Sequence, residues 1–165
     1  KPSCLILDEP FSGFDPINAN LLKDEIAQLK KEGTTIVLST HNMASVEEIC
    51  DHIALINRSQ KILEGDIFEV KNRFKTNMFS VEVSQHDNEI IPELQNLDYK
   101  VNIQENDHNL TTFEVTLPEN GTANDLLQLF MQHGDIHAFN EIMPTMNEIF
   151  IEQVEKANQQ QSHEE

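Results

Sequence analysis

Apolar positions in the first 75 residues come in short runs broken by polar turns. Cys4-Leu5-Ile6-Leu7 is a continuous apolar run that stops at Asp8-Glu9-Pro10, the pattern of a strand buried on both faces. Asp15 then stands where a helix cap belongs, with Pro16 at the first helical position. Leu22, Ile26 and Leu29 fall on one face of the predicted helix; Lys30-Lys31 and Gly33 mark its end. Thr34–Thr40 is β-branched and apolar and predicts a second strand. Asn42–Cys50 predicts a short helix with Val46, Ile49 and Cys50 as its apolar stripe. Ile53–Asn57 and Lys61–Glu64 predict two strands around a polar turn, and Asp66–Phe74 a further helix. Buried strands alternating with helices imply a parallel sheet of the α/β class.

After residue 75 the rhythm changes. Met78–Ser84, Tyr99–Gln104 and Thr111–Leu117 alternate polar and apolar, as antiparallel strands do. The polar stretch Glu105–Asn109 reads as a loop. Ile90–Leu97 predicts a short helix, Asn124–Gln132 a helix with a wide apolar face, and Ile136–Ile142 a last strand. Pro144 opens a helix through Ile149, Phe150 and Val154. The order β-α-β-β-α-β plus a final helix resembles a split β-α-β, ferredoxin-like unit. The expected organisation is therefore an α/β module over 1–75, a small α+β domain over 76–157, and a disordered Gln-rich tail over 158–165.

Charge sharpens this division. The chain has 165 residues, with Lys+Arg 11 against Asp+Glu 29, a net charge of −18. Residues 1–75 carry nine basic and 12 acidic side chains, a net of −3; residues 76–165 carry two and 17, a net of −15. Such a surface is a poor match for a polyanion, so no nucleic-acid partner is expected. No apolar run approaches the roughly 20 residues of a membrane-spanning helix. Two cysteines, Cys4 and Cys50, make no disulfide framework. Both fall in apolar stripes, where buried, inert thiols are expected. The seven histidines have no zinc-like spacing. The acidic second module reads most simply as a solvated face, or as a docking surface for a basic loop.

The candidate chemistry lies at the first strand's end. Two adjacent carboxylates, Asp8 and Glu9, sit where a parallel strand finishes, the edge at which α/β sheets bind ligands. Asp8 suits Mg²⁺, a cation that takes oxygen ligands and keeps some waters. Glu9 suits a general base over an attacking water.

The run Asp8-Glu9-Pro10-Phe11-Ser12-Gly13-Phe14-Asp15-Pro16 resembles the Walker B segment and D-loop of ABC-type ATPases. Leu38-Ser39-Thr40-His41-Asn42-Met43 resembles the same family's switch histidine at the end of the next strand. Cys50–Asn57 and Ile62-Leu63-Glu64-Gly65 resemble the strands that close the cassette. The resemblance runs without a gap from Lys1 to about Phe74. Phe11 and Phe14 depart from the commoner Thr and Leu, while Ser12, Gly13 and Asp15 are kept. Pro144-Thr145-Met146-Asn147-Glu148-Ile149-Phe150 resembles the ending of a C-terminal domain appended to some ABC ATPases that serve small exporter-type permeases.

This resemblance implies the C-terminal part of a P-loop NTPase-type domain, with ATP and Mg²⁺ as cofactors. Asp8 is implied to hold Mg²⁺ through water, Glu9 to polarise the attacking water, and His41 to contact the γ-phosphate. Ser12, Gly13 and Asp15 are implied to cross between two cassettes. The partners implied are a membrane permease and a second ATPase subunit, in a homo- or heterodimer, on the cytoplasmic face of the plasma membrane. The five glycines, Gly13, Gly33, Gly65, Gly121 and Gly134, include no Gly-x-x-x-x-Gly-Lys phosphate cradle and no Gly-Gly signature pair. The chain accordingly reads as a partial sequence, inactive alone, from a subunit that hydrolyses ATP. A truncated interaction or regulatory module and a non-transport ABC-type ATPase stand as alternative readings.

Overall fold

The computed structural model describes residues 2–87, 89–105 and 110–161. The predicted loop over 105–109 thus falls outside the described residues except at Glu105. The chain divides into two compact units: residues up to Lys71 with those from Thr145 onward, and Asn72–Pro144 between them.

The first unit is mixed α/β. β1 (Cys4–Asp8) leads through a turn to α1 (Pro16–Lys31), β2 (Thr35–Ser39) and α2 (Met43–Ile49). β1 and β2 pair in parallel, with Leu5 opposite Ile36, Leu7 opposite Leu38 and Asp8 opposite Ser39. The antiparallel pair β3 (His52–Asn57) and β4 (Gln60–Asp66) follows, then α3 (Ile67–Arg73). α1 starts where the sequence places it, because the Asp15 carboxylate accepts from the Ile17 and Asn18 amides at 2.9 and 3.1 Å. It ends at Gly33, whose φ of 88° is a left-handed conformation costly to any residue with a Cβ.

The expected burial of β1 on both faces is not observed. Leu5, Leu7, Ile36 and Leu38 are half-buried on one face, while Ile6 is 78% exposed and Val37 54% exposed on the other. Alternation puts the whole Cys4, Ile6, Asp8 row on the open face. Cys4 is therefore exposed and Cys50 only half-buried, against the expectation of two buried thiols. Partial burial still pushes the Cys50 thiol above its ordinary range.

The second unit runs β5 (Met78–Ser84), α4 (Ile90–Asn96), β6 (Lys100–Glu105), β7 (Leu110–Thr116), α5 (Ala123–His133) and β8 (Asp135–Ile142). Its four strands form one sheet in the order β6-β7-β5-β8, and each neighbouring pair is antiparallel. The alternation seen in the sequence becomes one buried face: Val81, Val83, Phe113 and Val115 are fully buried and pack with Ile90, Leu94, Leu126 and Phe130 from the two helices. Phe113 meets Phe130 edge-on at 5.2 Å between ring centroids. A capping box starts α5, with Asp125 N–H donating to Thr122 Oγ1 at 3.1 Å and Thr122 N–H donating back to Asp125 Oδ2 at 3.3 Å.

The last helix, α6 (Met146–Gln161), differs from expectation in two respects. The sequence assigns 144–157 to the second module, whereas α6 packs on α2 and β4 of the first unit, with Met146 and Ile149 buried. The helix also covers residues 158–161, the start of the expected disordered tail; residues 162–165 lie outside the described residues. A second capping box, with Glu148 N–H donating to Thr145 Oγ1 at 3.2 Å and Thr145 N–H to Glu148 Oε2 at 2.7 Å, fixes its start at Met146, two residues after Pro144.

Candidate functional site

The parallel register of β1 and β2 sets two strand ends side by side. Glu9 N–H donates to the Ser39 carbonyl at 2.9 Å, extending the pairing one residue past the strand. At Glu9 the backbone turns to a φ of 42°, a left-handed conformation that costs a non-glycine residue about 1–3 kcal/mol and clusters at functional sites. The turn sends the two adjacent carboxylates in different directions. Asp8 stays on the exposed sheet face and accepts a hydrogen bond from the Ser39 hydroxyl. Glu9 reaches across to the residues after β2.

Glu9 is held by three donors there. Its Oε1 accepts from the His41 amide at 3.1 Å and lies 2.8 Å from His41 Nδ1, while its Oε2 accepts from Thr40 Oγ1 at 3.2 Å. The His41 hydrogen bond leads in holding the Glu9 carboxyl below its usual range, against a partial desolvation that pushes the other way. The carboxylate is thus ionised at neutral pH. The His41 ring is 87% exposed, so its Nε2 is open to solvent. With Nδ1 donating to Glu9, Nε2 donates to an anion only when the ring carries its second proton. Asn42 anchors the same corner: its side-chain carbonyl caps α2 at Ser45 N–H, 3.1 Å, and its amide donates to Thr40 Oγ1, 3.1 Å.

Ser12, Gly13 and Asp15 follow on the exposed turn between β1 and α1. Ser12 N–H donates to the Glu9 carbonyl at 3.1 Å, and Gly13 has a φ of 77° with open space around its Cβ position. Asp15 is directed into its own helix: both carboxylate oxygens are engaged, by the Ile17 and Asn18 amides and by the Asn18 side chain. The Asn18 amide leads in holding its carboxyl below the usual range.

The structure therefore brings Asp8, Glu9 and His41 to neighbouring strand ends, and places Ser12, Gly13 and Asp15 beside them along the chain. The sequence reading missed Ser39 and Thr40, the side chains that orient Asp8 and Glu9. Their signal is positional: in a parallel pair, the residues directly opposite an acidic strand end are the ones whose hydroxyls reach it. Asp8 and Ser39 offer the hard oxygen donors that Mg²⁺ takes at an open, watered position. Among the described residues, no group of three or more His, Cys, Asp and Glu side chains is arranged to hold a metal by itself.

Comparison with known proteins adds the family. Residues 65–154 match the family described as ATP-binding protein DrrA1-3-like, C-terminal domain. The chain belongs to this family of ATP-binding proteins. An ABC transporter ATP-binding protein of Alkalihalophilus pseudofirmus is 33% identical over 154 residues, covering 93% of this chain and 55% of the relative. One from Bacillus subtilis is 31% identical over 155 residues, covering 93% of this chain and 49% of the relative. A fluoroquinolones export ATP-binding protein of Mycobacterium tuberculosis is 53% identical over 55 residues, 33% of this chain and 18% of the relative. A solved structure titled as the ATP binding subunit of an ABC transporter is similar at 32% identity and a TM-score of 0.41, covering 44% of this chain and 30% of that one. The chain spans about half the length of the first two relatives. The family match and the first two relatives bear out the resemblance to an ABC ATPase subunit read from the opening motifs.

Proposed function

We propose that these residues supply the catalytic carboxylate and switch histidine of an ATPase subunit in an ABC transporter. The observation that carries this reading is the Glu9–His41 contact at the ends of two paired parallel strands. Bound Mg-ATP supplies the phosphoryl group and a cation that offsets its charge. Asp8, with the Ser39 hydroxyl beside it, would hold the cation. Glu9 is held ionised and below the usual carboxylate range, which weakens it as a proton acceptor. Its role is therefore to orient and polarise the attacking water, in keeping with phosphoryl transfer being catalysed mainly by positioning and charge. His41 presents Nε2 to the γ-phosphate.

The partners follow from the same reading. A permease in the membrane receives the work, and a second ATPase subunit, identical or not, meets this one across the turn of Ser12, Gly13 and Asp15. The subunit sits on the cytoplasmic face, held there by the permease; among the described residues, no helix is long and apolar enough to cross a membrane. The likeness to an export ATP-binding protein favours export. For the second unit we propose the ferredoxin-like, split β-α-β arrangement; its strand order and wholly antiparallel pairing support it. The 165 residues contain no phosphate cradle, so by themselves they bind Mg-ATP more weakly than micromolar. The exposed apolar pair Ile6 and Val37 is consistent with a sheet face that further cassette residues cover.

The test is ATP hydrolysis by a full-length subunit carrying Glu9→Gln. The expected result is a loss of about 10²-fold or more in turnover with ATP affinity kept. Turnover within a few-fold of the parent would overturn the assignment of Glu9.

A further inference from the structure

The second unit holds an arrangement that the proposed ATPase role does not use. His133, the last residue of α5, is largely buried, with a side-chain exposure of 11%. Its two ring nitrogens meet two different carboxylates. Nδ1 lies 2.9 and 3.1 Å from the Asp87 oxygens, and Nε2 lies 2.8 Å from Glu93 Oε2. A neutral imidazole has one N–H and cannot donate to both. Two ionised carboxylates accept and never donate, so satisfying both contacts requires the imidazolium form.

The composition of the surroundings reinforces this. β5, α4, β7, α5 and β8 contain no lysine or arginine. The titratable groups on the segments that meet at His133 are His86 and Asp87 after β5, Glu89 and Glu93 at α4, and Asp135 and His137 at the start of β8. His86 turns away, towards the Asp87 carbonyl at 3.1 Å and Thr111 Oγ1 at 2.9 Å, and His137 bonds Ser84 Oγ at 2.8 Å. The neighbouring charge is thus acidic, and His133 is the cation that answers it.

We propose that His133 is a proton-operated clasp: charged, it ties the α5 end to both Asp87 and the α4 residue Glu93; neutral, it holds one and releases the other. The clasp spans separate elements, since Asp87 and Glu93 flank the start of α4 and His133 ends α5. One backbone bond, Asp87 N–H to the His133 carbonyl at 3.0 Å, keeps the segments adjacent when the clasp opens. α4 has only seven residues, and its N-cap Glu89 makes no side-chain cap bond; the Asp87 carboxylate accepts from Glu89 N–H at 3.0 Å, so the clasp residue Asp87 is itself tied to the helix start.

Desolvation, the largest influence, pushes the His133 pKa down, but the hydrogen bonds and charges of Asp87 and Glu93 together outweigh it and leave the pKa raised. A raised folded pKa stabilises fully below the ordinary histidine value of about 6.5 and is lost as pH rises through the folded value. The Asp87 carboxyl is held low, chiefly by the His133 hydrogen bond. Its contribution is present above the ordinary carboxylate range and is lost in acid. The clasp is therefore closed between these limits and opens on the alkaline side.

The test is NMR titration of the His133 ring in the full chain, with nitrogen shifts read at both ring positions. Expected are protons on both nitrogens at about pH 6, a midpoint above about 6.5, and a midpoint lower by about half a pH unit or more in Glu93→Gln. Protection factors of the amides in Glu89–Leu97, taken after removing the intrinsic base-catalysed rise of exchange with pH, should fall across the same midpoint in the parent and stay flat in His133→Gln. A midpoint at or below the ordinary value, or exchange that does not follow the titration, would overturn the clasp. The ring titration in the parent needs no variant, so a variant that fails to fold does not shield the proposal.

Discussion

At the scale of single residues, two carboxylates next to one another meet different partners, Asp8 the Ser39 hydroxyl and Glu9 the residues after β2. The φ of 42° at Glu9 separates it from Asp8 and turns it towards Thr40 and His41. The acidic pair and the histidine are visible in the sequence, because residue types at strand ends are legible in a pattern. The Ser39 and Thr40 hydroxyls are not, because their importance depends on the register of two strands. Asp15 offers a residue-scale prediction. Its folded carboxyl titrates low because it caps α1, so its stabilisation is present above the ordinary carboxylate range and is lost as pH falls through the folded value. Asp15→Asn removes that part of the acid dependence. Thermal melts of parent and variant from about pH 2 to 6 should converge at the acid end; a constant gap across the range would contradict the cap's titration.

Elements are legible where local chemistry alone decides them. The Asp15 cap, the Thr122 and Thr145 capping boxes and the period-2 alternation of β5 and β7 are written in neighbouring residues. The partner of an amphipathic face is not. The stripe of Ile149, Phe150 and Val154 predicts a helix that buries one side, and either unit offers apolar surface to receive it. The observed packing of α6 on α2 and β4 places its buried residues in the first unit's core. Ile149→Ala should therefore cost about 2–5 kcal/mol, read as faster amide exchange in α2 and β4. Loss of protection confined to β5–β8 would contradict this placement. The open face of β1 departs from expectation for a related reason: a continuous apolar run does not say what covers each face, and among the described residues only one face is covered.

For the whole molecule, the sequence divides by charge after residue 75 and the fold divides by contact after Lys71, and the two divisions part company at α6. The charge step from −3 over residues 1–75 to −15 over residues 76–165 counts the acidic residues of α6 together with those of the second unit, although α6 packs in the first. The ATPase reading draws on the first unit alone, through the meeting of Glu9 with His41. The most direct measurement is the structure of a full-length subunit bound to magnesium and a non-hydrolysable ATP analogue. It should place the terminal phosphate within hydrogen-bond distance of His41 Nε2, with one water between the phosphorus and the Glu9 carboxylate. A terminal phosphate bound elsewhere, with Glu9 and His41 still paired only to each other, would contradict the account.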